Sequence, residues 1–96
     1  MIIKYQIRET TWSGGSCPFQ WEGFLDDGRA FYIRYRWGGL SFSISHEPTD
    51  SIEDAVGANI VFFERIGEEL DGYITESEVL EALKNGGITL DRKQRI

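Results

Sequence analysis

The stretch from Pro18 to His46 constrains this chain more than any other. It reads PFQWEGFL, DDG, RAFYIRYRW, GG and LSFSISH, so three alternating apolar runs are separated by two short turn signals. Alternation with period two marks strands with one buried face, and turns this short join neighbours antiparallel. The two turns constrain each other. Read as a two-residue loop, Gly38-Gly39 pairs Trp37 with Leu40, Tyr35 with Phe42, Ile33 with Ile44 and Phe31 with His46. The first turn must keep the same faces together. A two-residue Asp27-Gly28 loop sets Trp21 against Arg34 and mixes them. A three-residue Asp26-Asp27-Gly28 loop, with Gly28 left-handed in a bulge, sets Trp21 against Ile33 and Phe19 against Tyr35. The three-residue turn is the consistent choice.

The flanking segments extend this sheet. Residues 2–9 alternate Ile3, Tyr5 and Ile7 with Lys4, Gln6 and Arg8, which predicts a half-buried first strand that Thr10 to Trp12 extend. Ser13-Gly14-Gly15-Ser16 reads as a loop closed by Cys17-Pro18. Glu47 to Ser51 is a break, after which Asp50 or Ser51 caps a short helix over 52–56, ended by Gly57. Residues 59–66 (NIVFFERI) fit either a helix continued from Ile52 or a strand. Their β propensity and the interrupting Gly57 favour the strand. Thr75 followed by Glu78 is a capping box, with Val79, Leu80 and Leu83 as the apolar stripe and Gly86 as the stop, so a helix spans 76–85. Ile88-Thr89-Leu90 adds a short edge strand. The expected fold is a single α+β domain over 1–96, an antiparallel β-meander of four to five strands packed against a C-terminal α-helix. Phe19, Trp21, Phe31, Ile33, Tyr35, Phe42, Ile44, Val79, Leu80 and Leu83 are the expected core.

Composition narrows the function classes. A chain of 96 residues, 41% hydrophobic and 14% aromatic, is enough for one folded domain. Its formal net charge of -6 favours basic partners over bare nucleic acid or an anionic membrane. The single cysteine, Cys17, leaves no internal disulfide, which places the chain in a reducing cytoplasm. MIIKYQIRET carries charges within its first eight residues, unlike a signal peptide, and no apolar run approaches a membrane span.

Four constellations could carry chemistry. Residues 67–78, GEELDGYITESE, resemble an EF-hand loop: Gly72 takes the sixth position, Ile74 the eighth and Glu78 the last, with Glu69, Asp71 and Thr75 as further ligands. Gly67 stands at the first position, where that loop needs a carboxylate, and the same residues equally make a capped helix start. The second is the outer sheet face, where Tyr32, Arg34 and Arg36, joined by Lys4 and Arg8 from the first strand, reverse the chain's acidic sign. Such a face suits an acidic protein, or phosphate and single-stranded nucleic acid, and is also compatible with plain solvation. The third, Cys17 with His46, lacks any feature that activates the thiol, and His46 is expected to face inward opposite Phe31. The fourth is the acidic series Glu64, Glu68, Glu69, Asp71, Glu76, Glu78 and Glu81, which could imitate a phosphate backbone toward a nucleic-acid-binding protein but reads more simply as a solvated helix and loop.

Cys-Pro-Phe-Gln-Trp-Glu-Gly at 17–23, Asp27-Gly28-Arg29, Phe31 to Gly38 and Leu70 to Thr75 resemble small uncharacterised proteins of actinobacteria and their phages. The resemblance implies no activity; it implies a bacteriophage accessory protein that binds a host component. The sequence therefore predicts a non-catalytic, cytoplasmic protein-interaction module without a cofactor or a membrane. Calcium on the 67–78 loop and anion or nucleic-acid binding on the basic face stand as alternatives.

Overall fold

The computed structural model describes residues 2–15, 18–67 and 74–92. Its elements in chain order are β1 (Ile3–Gly14), β2 (Phe19–Leu25), β3 (Arg29–Arg36), β4 (Gly39–Pro48), a 3-10 turn (Ile52–Asp54), β5 (Asn59–Arg65), α1 (Glu76–Asn85) and β6 (Ile88–Arg92). The strands form one sheet in the order β5-β4-β3-β2-β1-β6. Strands β1 to β5 are antiparallel neighbours, but β6 pairs parallel to β1, with Ile3 against Ile88 and Tyr5 against Leu90.

This corrects the expected α+β antiparallel meander: the protein is mostly β, and its six-stranded sheet is mixed. The reason lies in the connection. No tight turn links β5 to β6; the chain crosses through α1 to the opposite edge, and such a crossover permits parallel pairing. Among the described residues no helix is long and apolar enough to cross a membrane.

The first hairpin is as the sequence predicts. Phe19 pairs with Tyr35 and Trp21 with Ile33 around Asp26-Asp27-Gly28. Gly28 has φ 92 and its N–H donates to the Leu25 carbonyl at 3.0 Å. The second hairpin differs. Its loop is Trp37-Gly38, so Arg36 pairs with Gly39, Tyr35 with Leu40, Ile33 with Phe42 and Phe31 with Ile44. Trp37 and Gly38 have φ 55 and 77, the positive pair that a tight primed turn requires. The shift of two residues along β4 preserves the faces, because side chains alternate with period two. Within an irregularity of β4, where its chain from Ile44 to Pro48 faces only Phe31 to Arg29, His46 is exposed rather than buried opposite Phe31.

The inner face carries the main core. Tyr5 meets Phe42 edge-on at 5.6 Å, and Phe42, Phe31 and Trp21 continue the chain of T-shaped contacts. Val79 and Leu83, one helical turn apart, drive α1 into this layer, and Leu80 is partly buried at its margin. Ile7, Leu25, Leu40, Ile74, Ile88 and Leu90 complete the layer beyond the expected set. The capping box forms as expected: Thr75 Oγ1 accepts from the Glu78 N–H at 3.2 Å, and Glu78 Oε1 accepts from the Thr75 N–H at 3.1 Å. Glu76, in the same first turn, accepts from Ser13 of β1 and Arg92 of β6, so α1 is tied to both strands.

A smaller cluster closes part of the outer face. Phe24, Ala30 and Ala55 are buried together, with Tyr32 and Ile52 packed against them. The expected helix over 52–56 is reduced to the 3-10 turn, and Ser51 makes no side-chain cap. Thr49 orders the entry to the turn instead, accepting from the Ser51 N–H at 3.1 Å and donating to the Asp54 carboxylate.

Candidate binding face of the sheet

Alternation along β3 sends Tyr32, Arg34 and Arg36 to the outer face, as expected, but the structure divides the predicted basic surface. Lys4 lies at the β1–β6 edge, 3.9 Å from Asp91. Arg8 sits where β1 bulges, its guanidinium carbon 5.7 Å from the Phe24 ring centroid. Both belong to the end of β1 that pairs with Leu25 and β6, whereas Arg34 is aligned with Gln20 and, through it, with Gly14 at the other end. Tyr32 is half-buried against the small cluster, and its hydroxyl accepts from Gln20 Nε2 at 2.8 Å. Of the five residues, Arg34 and Arg36 remain together on an open surface.

Ser41, expected on this face from the alternation, is joined there by Gly39, Trp37 and Phe63, which the sequence did not place on it. Gly39 and Ser41 of β4 form a low floor, flanked by Arg34, Arg36 and Trp37 on one side and Phe63 of β5 on the other, around a shallow cavity of about 280 Å³. Among the described residues no carboxylate lines it. Toward the other end Ser43 and Ser45 are buried, so the trough is open only over Gly39 and Ser41. Ser41 Oγ donates to the Arg34 carbonyl at 3.4 Å, and Phe63 is 65% exposed.

Trp37 sets the geometry of this corner. Among the described residues it is the only non-glycine with positive φ, and its side chain is 44% exposed. Arg36 stacks on it with the guanidinium carbon 5.2 Å from the ring centroid, and Arg65 Nη1 donates to its carbonyl at 2.8 Å. Arg34 Nε is buried and has no hydrogen-bond partner among the described residues. The corner thus offers two guanidinium groups and two exposed aromatic rings. Those groups suit a planar anion joined to apolar surface. The sequence hid Trp37 as a turn residue, because Gly38-Gly39 beside it reads as the better two-residue turn. Phe63 lay in the segment whose helix or strand character alternation left open.

The remaining candidates are distributed elsewhere. Thr75 and Glu78 come together, but as the helix cap; Glu69 and Asp71 lie outside the described residues. Among the described residues no group of three or more His, Cys, Asp or Glu side chains is placed to hold a metal ion. Cys17 also lies outside them, and His46 is exposed on β4. On the helix side of the sheet, Glu64, Glu78 and Glu81 line a cleft of about 350 Å³ with Tyr35 and Asn85, opposite in sign to the arginine corner. Comparison with protein-family models, curated proteins and solved structures finds no match to this chain.

Proposed function

We propose that this protein is a non-catalytic interaction module, working in the cytoplasm, that holds a protein partner against the Arg34–Arg36–Trp37 corner. The observation that carries the reading is Trp37. A left-handed L-residue costs about 1–2 kcal/mol, and an exposed indole there returns little to the core. Strain of this kind persists where a site needs the side chain in that position. Trp and Arg are also the residue types that concentrate binding energy at protein interfaces. The resemblance to phage proteins supports an accessory role in which the partner is a host component.

The test is a pull-down of the tagged protein from host lysate, split into nuclease-treated and untreated halves, beside the Arg34→Glu/Arg36→Glu variant. A partner that survives nuclease and is lost with the folded variant supports the reading. Equal retention by the variant rejects this corner, and a signal lost on nuclease points to nucleic acid instead.

A further inference from the structure

We infer that the group recognised in the trough is a carboxylate on an extended acidic segment of the partner, gripped by Arg34, with a neighbouring apolar side chain lodged between Trp37 and Phe63. This inference rests on the interaction reading above and specifies its partner chemistry.

Three features lead to it. First, the corner gathers Arg34, Arg36 and Arg65, and among the described residues no carboxylate lines the trough, in a chain whose formal net charge is -6. The charge missing from the corner is therefore a complementary anion from outside. Second, Arg34 Nε is buried with no hydrogen-bond partner among the described residues. That nitrogen is enclosed, so the grip on a carboxylate falls to the outer N–H groups of Arg34 and Arg36, the two guanidinium residues that line the trough. Third, the floor is low only at Gly39 and Ser41, between one aromatic wall on each side. The ring of Phe63 covers Gly39, where a Cβ would lie 3.3 Å from its Cζ, so the open part of the floor is at Ser41, between Arg34 and the Phe63 ring. That space admits an acidic side chain and an adjoining apolar one.

A nucleic-acid strand fits less well. A phosphate backbone needs cations spaced along a track. Here Lys4 lies beside Asp91 at the far edge, and Arg8 lies over Phe24 beyond the buried outer cluster. Glu22, opposite Tyr32 on the same face, interrupts any path between them. A short acidic segment meets the local field alone, within roughly one Debye length of 8 Å at physiological salt.

The test is nuclear magnetic resonance on the labelled full chain. The probe is a synthetic peptide rich in Glu and Asp with one Phe, against its Gln and Asn counterpart and a single-stranded oligothymidine. The expected result is a shift of the Arg34 Nε–H and Trp37 indole N–H signals with the acidic peptide alone. Arg34→Gln and the trough-filling Ser41→Phe should each weaken binding roughly tenfold or more, the scale of a lost charge-assisted hydrogen bond. Arg36→Glu, a change at an exposed side chain, provides a second check should Ser41→Phe not fold. Equal shifts with the amide counterpart, tighter binding of the oligonucleotide, or no shift at millimolar acidic peptide each overturn the inference. If the lysate partner is captured and lost with Arg34→Glu/Arg36→Glu while the acidic peptide is silent, the interaction reading stands and the carboxylate assignment falls.

Discussion

The guanidinium carbon of Arg36 lies 5.2 Å from the centroid of the Trp37 ring, across the boundary between β3 and the turn that follows it. An exposed cation–π contact of this kind stabilises by about 0.5–1 kcal/mol. The left-handed backbone beneath it costs about 1–2 kcal/mol. The stack therefore offsets only part of the strain, and the turn is held at a net cost while presenting an indole to solvent. Partner binding is the account's explanation for that cost.

If the partner is acidic, its retention responds to salt. Exposed charges attract over a Debye length that shrinks to about 3 Å at 1 M salt. Partner capture, or the association rate with a purified partner, should therefore fall as ionic strength rises, and most of the loss should lie in the on-rate. Binding that is indifferent to salt would place the energy elsewhere than Arg34 and Arg36.

Among the described glycines, Gly23 has the closest backbone neighbour. A Cβ there would lie 2.1 Å from the Glu9 carbonyl oxygen and 2.9 Å from the Thr10 Cα, where β1 shifts register against β2. Backbone atoms cannot turn aside as a flexible side chain can. Gly23→Ala should cost about 3 kcal/mol or more in urea unfolding, at or beyond the upper end of ordinary overpacking. Near-native stability would mean that β1 does not cross β2 in this way.

The helix cap gives a smaller, graded effect. Thr75→Ala should lose about 1 kcal/mol, whereas Glu78→Gln, which keeps an acceptor for the Thr75 N–H, should lose less. Both are measured by the same urea titration. With Thr75 and Glu78 engaged in the cap, calorimetry should register no heat with millimolar calcium. Heat that Glu78→Gln abolishes would make the 67–78 loop a metal site.

Phe42 is fully buried between Tyr5 and Phe31 in the edge-to-face chain. Phe42→Ala should destabilise by about 4 kcal/mol, combining lost transfer energy with the cavity left behind. A loss below about 1.5 kcal/mol would contradict a packed inner layer.

What the sequence made legible was what short-range chemistry determines. Facing positions in the first hairpin followed from requiring Trp21, Ile33 and Tyr35 to share a face, and the helix bounds followed from Thr75, Glu78 and Gly86. Strand character at 59–66 was favoured by its β-branched and aromatic residues and by Gly57. Alternation alone left the second hairpin undetermined, because sliding β4 by two residues keeps Phe42 and Ile44 inward; the positive φ of Trp37 and Gly38 chose the register. The direction of β6 was hidden for another reason: it depends on a long crossover, and Ile88-Thr89-Leu90 reads the same parallel or antiparallel. Of the candidate site, Arg34 and Arg36 were legible from their place on β3. Their separation from Lys4 and Arg8, and their meeting with Phe63, depend on bulges and strand order that no local pattern encodes.

The central claim is that Trp37 keeps a strained backbone because a partner needs its side chain, and one substitution separates stability from binding. Trp37→Asn places in the turn a residue that tolerates positive φ, and removes the indole. Unfolding and partner capture should be measured on the same preparation. The account predicts a gain of about 0.5 kcal/mol in stability, the relieved strain less the lost cation–π contact, together with loss of the partner. A folded Trp37→Asn protein that captures the partner as well as the wild type would contradict it.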